Sequence, residues 1–171
     1  MAEEIVNKIS QSELFTLDLE QFYPAENIRM FDLKPLLFME LILKEKEFRA
    51  SLQAIDWSSY AGEIVGVYCS ADAVIPVWAY MLVTSYLQPF ARDIIMGDES
   101  AVIRQLITEG IHRINPETYR GKRVVIKGCG DKQIGEFAFL EITKLLRPVV
   151  KSIFYGEPCS TVPIYKTQNP R

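Results

Sequence analysis

The sequence predicts an α/β fold: a largely parallel sheet with helices on its faces. Short runs rich in β-branched residues, such as Ile64–Tyr68, alternate along the chain with apolar runs of helical length. The order strand, helix, strand occurs twice, at residues 60–98 and 119–157, so each copy predicts a βαβ unit with a right-handed crossover.

The two copies align at an offset of 59 residues (131 − 72 = 59) without a gap. The offset brings identical residues together in turns, strands and helices, which indicates an internal duplication. The identical pairs are Tyr60/Tyr119, Gly62/Gly121, Val65/Val124, Asp72/Asp131, Ile75/Ile134, Ala79/Ala138, Thr84/Thr143, Leu87/Leu146, Pro89/Pro148, Ile94/Ile153 and Gly97/Gly156.

The segment before the repeats predicts two strands and a helix. Alternating apolar and polar residues at 15–19 and 28–33 are typical of half-buried strands, which we expect to form an antiparallel edge or a small extension. A helix is predicted from Pro35, since Leu37, Leu41, Phe48 and Leu52 then fall on one face.

Each repeat predicts a buried strand, a helix and a second strand. In the first copy these are Ile64–Tyr68, a helix that begins at Pro76 and ends near Pro89, and Ile94–Met96. In the second copy they are Val124–Ile126, Glu136–Leu146 and Ile153–Tyr155. A connecting helix is predicted at 100–109, and three prolines predict a mostly extended tail or coil at 158–171.

Length and composition predict one cytoplasmic domain. The 171 residues divide into N-terminal strands and helix (1–56), the first repeat unit (57–110), and the second repeat unit with the tail (111–171). A net charge of −3 argues against a nucleic-acid partner that depends on a positive surface. The start of the chain does not have a signal-peptide pattern, and the longest apolar run, Ala73–Val83, is too short to span a membrane.

The three cysteines predict a site at one edge of the sheet. Cys69, Cys129 and Cys159 each follow a predicted strand, and ligands of parallel α/β sheets bind at the carboxyl ends of the strands. Three thiolates suit zinc, or iron in a cluster. The carboxylates expected to complete or orient the ligand set are Asp72, Asp131 and Glu157.

Other interpretations of the cysteines remain open. The chain has no CxxC or HxxxH motif, and three unconnected buried cysteines would give the same sequence. Thiol–histidine catalysis would need His112, which is expected at the opposite edge of the sheet. A phosphate loop would need arginine six residues after a cysteine, where the chain has Ile75, Gly135 and Tyr165.

Four segments carry a resemblance to a known family. Residues 16–24, 69–76, 125–129 and 156–163 are similar to an uncharacterised bacterial family, domain of unknown function 2480, and the resemblance covers nearly the whole chain. It implies no established activity, substrate or catalytic residue. It does imply a link to iron–sulfur assembly, which favours iron at the three thiols.

These observations lead to three hypotheses of function. The first is a metal-binding accessory protein with a three-thiolate site, linked to iron–sulfur assembly. The alternatives are a zinc-dependent enzyme of unknown substrate and a metal-free protein-interaction module. The predicted cofactor is zinc or iron. The predicted partners are a second copy of the chain in a homo-oligomer and a protein that handles metal or iron–sulfur clusters, with no nucleic acid and no membrane.

Overall fold

The computed structural model describes residues 14–128, 130–157 and 159–167. The chain forms two compact units, and we name each by its place in the sequence. The insert unit is Pro24–Ile103, and the flanking unit combines Met1–Tyr23 with Arg104–Arg171. The prediction of a single domain stays a prediction.

The described residues form seven strands and four α-helices. In chain order they are β1 (Leu14–Asp18), β2 (Ile28–Asp32), α1 (Glu45–Gln53), β3 (Ile64–Tyr68), α2 (Val77–Leu87), β4 (Asp93–Met96), α3 (Glu99–His112), β5 (Arg123–Lys127), α4 (Glu136–Leu146), β6 (Ser152–Glu157) and β7 (Ser160–Lys166). In these described segments, no helix has the length and hydrophobicity needed to cross a membrane.

The insert unit contains a three-stranded parallel sheet in the order β2-β3-β4. The central strand β3 is buried on both faces, as its β-branched run predicts. One face of α2 packs on the core through Ala79, Val83 and Leu87, all fully buried. Trp57 stacks on Tyr86 at 5.2 Å between ring centroids. The core consists of Phe31, Leu33, Phe48, Leu52, Trp57, Tyr60, Val65, Val67, Ala79, Val83 and Leu87.

The flanking unit contains a four-stranded sheet in the order β1-β5-β6-β7. The first three strands are parallel, and β7 runs antiparallel to β6. The α/β class and the parallel strands are therefore confirmed, although the strands form two sheets instead of one. The expected antiparallel edge at the N-terminus is wrong, because β1 and β2 each run parallel to the first strand of a repeat.

The internal duplication is confirmed element by element. Strand β5 begins 59 residues after β3 (123 − 64 = 59), and the same offset separates α4 from α2 and β6 from β4. A short 3₁₀ helix precedes each repeat, at Trp57–Tyr60 and Pro116–Tyr119. The buried positions of α2 recur in α4 as Ala138, Ile142 and Leu146. The copies therefore share their backbone path and the face they bury.

The helix predicted from Pro35 is wrong over its first ten residues. The chain forms a 3₁₀ turn at Lys34–Leu36 and then reverses, with an isolated bridge between Phe38 and Ile42, and α1 begins only at Glu45. At the reversal, Met39 and Glu40 adopt φ values of 50° and 58°, in the left-handed region. An apolar period of 3.6 therefore does not establish a helix when the run includes a turn.

Candidate functional site

Asp32 organises the carboxyl end of the insert sheet. Its carboxylate ends β2 and accepts hydrogen bonds from the Ser70 amide at 2.9 Å, the Ser70 hydroxyl at 2.5 Å and the Lys34 amide at 2.9 Å. Partial burial raises the pKa of Asp32, but the bonds from Ser70 and Lys34 outweigh it and hold this pKa below its ordinary value. The ionised carboxylate thus fixes the loop after β3 to the end of β2.

Cys69 begins that same loop and is half-buried against the apolar core. Its Sγ lies 3.8 Å from the Ala71 carbonyl oxygen, whereas the nearby predicted ligand Asp72 is exposed. Tyr80 of α2 has a raised pKa because it is partly buried and because the Cys69 sulfur adds a smaller electrostatic effect. Cys69 therefore occupies the position of a small apolar side chain.

A charged cluster occupies the carboxyl end of the flanking sheet. The Lys127 ammonium lies 3.1 Å from the Asp18 carboxylate and 3.9 Å from that of Glu157. The hydrogen bond with Asp18 contributes most to a raised Lys127 pKa, so this lysine keeps its charge. The amide of Gly130 donates to the Glu20 carboxylate. Glu157 therefore belongs to an ion cluster centred on Lys127.

The three-thiolate metal-binding function is wrong. Within residues 14–128, 130–157 and 159–167, no group of three or more His, Cys, Asp or Glu side chains is arranged to hold a metal ion. Cys69 belongs to the insert unit, and Cys159 lies exposed in the turn between β6 and β7 of the flanking unit. Cys129 lies outside the described residues. The zinc-enzyme alternative used the same ligands and fails with them.

Several predictions about these residues are not tested by the structure. The individual site residues Cys69, Cys129, Cys159, Asp72 and Asp131 stay predictions, as does Glu157. Zinc or iron as cofactor also stays a prediction, and so do the cytoplasmic location and the protein partner.

The flanking unit has an apolar groove between α4 and the sheet. Its volume is about 720 Å³, a size typical of small-molecule sites. Phe139 of α4 and Tyr155 of β6 meet edge to face there, at 5.6 Å between centroids and 78° between planes. The lining residues are Ile126, Gly128, Ile134, Glu136, Phe139, Leu140, Thr143, Lys144, Ile153, Phe154, Tyr155 and Ile164.

The insert unit has a corresponding groove of about 950 Å³ between α2 and its own sheet. Its lining residues are Val67, Ile75, Val77, Tyr80, Met81, Thr84, Ser85, Gln88, Ile94 and Met96. Adding 59 to each number gives a residue of the flanking groove in every case except Gln88. The duplication therefore reproduces a surface groove as well as a fold.

The two grooves differ in how they are bounded. In the flanking unit, β7 pairs with β6 and supplies Ile164 to the lining. In the insert unit, β4 pairs with β3, and no other described strand lies along its outer edge. Met96 of β4 is consequently 70% exposed, whereas its counterpart Tyr155 is 39% exposed. One copy of the groove thus has a wall that the other lacks.

The sequence patterns predict neither groove. One signal was available at equivalent positions of the two helices. Met81 and Leu140 are apolar in both copies, yet they lie off the face that carries Ala79, Val83 and Leu87. They are 67% and 63% exposed. A duplicated apolar residue away from the buried face indicates a surface that contacts something else.

Comparison with known proteins gives one finding. The family model described as "Protein of unknown function (DUF2480)" matches residues 3–167. No curated protein and no solved structure shows a significant match. With nearly its whole length matched, the chain belongs to the DUF2480 family of proteins of unknown function.

Proposed function

We propose that the protein binds a neutral apolar small molecule in the groove of the flanking unit. The observation that carries this proposal is the groove itself: about 720 Å³, largely apolar, and bounded by α4, β5, β6 and β7. Ile126 and Gly128 place one end of the groove at the carboxyl end of β5, where α/β folds commonly bind ligands. A cavity of this size can enclose most of the surface of a drug-sized small molecule.

The walls determine the class of ligand. Ile126 and Ile153 form a buried floor, and the ring pair Phe139–Tyr155 offers an aromatic surface with a defined orientation. Aromatic pairs of this kind favour a planar apolar group that stacks or packs edge-on. We therefore expect an aromatic or fused-ring compound.

The charges at the rim favour a neutral ligand. Lys144 lies with its ammonium 2.9 Å and 3.1 Å from the two carboxylate oxygens of Glu141, so its charge is already balanced. Glu136 is in the first turn of α4, where the helix dipole stabilises a carboxylate. An anionic ligand would be repelled by Glu136, and the charge of Lys144, which also lines the groove, is already paired with Glu141.

The test uses the neutral dye N-phenyl-1-naphthylamine, whose fluorescence rises in apolar surroundings. We expect saturable binding to the wild-type chain. Leu140→Asp puts a charge on the groove wall and should weaken binding about tenfold or more, since desolvating a carboxylate beside an apolar ligand is unfavourable. The matched control is Val74→Asp, at a 94%-exposed apolar residue that lines neither groove.

The counterpart variant Met81→Asp identifies which groove binds. It changes the equivalent residue of the insert groove, so the proposal requires dye affinity to stay at the wild-type value. Loss of binding in Met81→Asp with retention in Leu140→Asp would contradict the assignment to the flanking groove. Absence of saturable binding to the wild type would contradict the proposed function. Far-UV circular dichroism checks that each variant is folded.

A further inference from the structure

Within the part of the chain that the structure describes, strand β4 is an open edge at a place where its repeat counterpart β6 is covered. Among the described strands, β4 pairs with β3 alone, whereas β6 pairs with β5 on one side and with antiparallel β7 on the other. An unpaired edge presents a row of backbone donors and acceptors that readily pairs with another strand. The flanking unit shows that this edge of the repeat accepts an antiparallel neighbour.

The side chains around the open edge are apolar. Met96 of β4 is 70% exposed, and Val77 and Met81 of α2 are 75% and 67% exposed. All three line the insert groove, as does Ile94, which lies on the same face of β4 as Met96. A strand added at this edge would therefore extend an apolar surface as well as form backbone hydrogen bonds.

The sequence of the edge is complementary to itself. If two copies of Arg92–Asp98 pair antiparallel with Ile95 opposite Ile95, then Ile94 faces Met96 of the other copy and Asp93 faces Gly97. Arg92 and Asp98 flank β4 on either side, so the two-fold axis brings Arg92 of each copy near Asp98 of the other at both ends of the pairing. Opposite charges directly across an antiparallel pair are stabilising, and an interface between identical surfaces requires this reciprocity.

The faces of the strand agree with the same register. Directly opposed residues of an antiparallel pair lie on the same face of the sheet. Ile94 and Met96 both line the groove, while Ile95 points to the opposite, buried face. A shift by one residue would place Ile94 opposite Ile95 and so pair a groove-facing with a core-facing side chain.

From these observations we infer that β4 docks a second copy of this chain through a two-fold antiparallel β4–β4 pairing. The pairing makes one six-stranded sheet in the order β2-β3-β4-β4-β3-β2 and joins the two insert grooves across the axis. The second copy supplies the wall that β7 supplies in the flanking unit. This inference concerns the insert unit and does not depend on the ligand proposed for the flanking groove.

The charges of Arg92 and Asp98 favour a second copy of the chain as the partner of the β4 edge. Arg92 is 59% exposed and bonds to Glu26 at 2.8 Å, so its guanidinium can also reach a carboxylate across the edge. Asp98 is exposed, with one carboxylate oxygen accepting from the Ala101 amide at 2.9 Å. The other oxygen can accept from Arg92 of the second copy.

The test is the molar mass of the full chain in solution, measured by size-exclusion chromatography with light scattering over a range of concentrations. The wild type should have twice the chain mass of 19.6 kDa at high concentration and approach the chain mass on dilution. Met96→Lys puts a charge on the apolar edge and should give the monomer mass. Its matched control, Val162→Lys, changes an exposed apolar residue of β7 and should leave the mass unchanged.

An exchange of charges between Arg92 and Asp98 tests the β4–β4 pairing without changing Met96. Arg92→Glu places like charges opposite each other at both ends and should lower dimer affinity, while the double variant Arg92→Glu/Asp98→Arg should restore it. A wild-type monomer at every concentration would overturn the inference. So would a dimer that persists in both Met96→Lys and Arg92→Glu, because it would use another surface. Circular dichroism shows that each variant compared is folded.

Discussion

Asp32 offers the sharpest test of how the insert unit is held together. Its carboxylate accepts two backbone amides and one hydroxyl, from Ser70 and Lys34. Hydrogen bonds to charged groups contribute about 1.5–3 kcal/mol each, but those with Ser70 are exposed to water and contribute less. We expect Asp32→Ala to lower the free energy of unfolding by about 2 kcal/mol. Asp32→Asn keeps one acceptor oxygen and should lower it by about 1 kcal/mol.

The two tryptophans make this measurement specific to the insert unit. Trp57 and Trp78 are the only tryptophans of the chain, and both belong to this unit. Urea denaturation followed by tryptophan fluorescence therefore reports the unfolding of the unit that Asp32 supports. Asp72→Ala removes an exposed carboxylate after the neighbouring strand and is the matched control, with an expected change below about 0.5 kcal/mol.

The pH dependence of the same variants tests the ionised state. Because the folded-state pKa of Asp32 is lowered, its contribution is fully present above the ordinary carboxyl pKa and is lost as pH falls through the lowered value. The difference between wild type and Asp32→Ala should shrink over that acidic range. A difference that is unchanged on acidification, or below about 0.5 kcal/mol at neutral pH, would refute the reasoning.

Two further variants test the flanking unit by urea denaturation followed by far-UV circular dichroism. Leu146→Ala empties a fully buried site and should lower the free energy of unfolding by about 2.7–5 kcal/mol, whereas Val162→Ala should change it by less than about 0.5. Gly156→Ala strains a φ of 115° and brings its Cβ to 2.6 Å from the Ser160 carbonyl oxygen, so it should cost more than about 1 kcal/mol. If either Leu146→Ala or Gly156→Ala had the same free energy of unfolding as the wild type, the packing described at that residue would be contradicted.

The parts of the fold that the sequence predicted are those with short-range signals. Residue identity at a fixed offset revealed the duplication, because the copies still need the same turn glycines and the same buried helix positions. Gly62 and Gly121, for example, adopt φ values of 77° and 71°, which only glycine adopts at little cost. Runs of β-branched residues predicted β3 and β5 for the same local reason.

The parts that failed depend on long-range pairing. Strand β7 was predicted as extended or coil because Pro163 interrupts it, but proline is accepted in an edge strand, and here it lies at a register shift opposite Phe154. The alternation in β1 shows that a strand exists and does not show which strand it joins. The sequence therefore predicted one sheet where there are two.

The candidate metal site failed for a related reason. Three cysteines after three strands suggested one common edge, but a strand end in the sequence does not specify its sheet. Cys69 follows a strand of the insert sheet, and Cys159 lies in a tight turn of the other. The grooves went unpredicted because an exposed apolar residue such as Met81, taken alone, resembles a buried one, and only its recurrence as Leu140 off the buried helix face distinguishes it.

The position of β1 has a consequence for how the chain is made. Leu14 pairs with Arg123, so more than a hundred residues separate strands that are neighbours in the flanking sheet. The strands of the insert unit all lie between residues 28 and 96. During synthesis on a ribosome, the insert unit can fold once its own residues have emerged, because closing its shorter loops costs less entropy. Strand β1 must meanwhile wait for its partner until β5 has been translated.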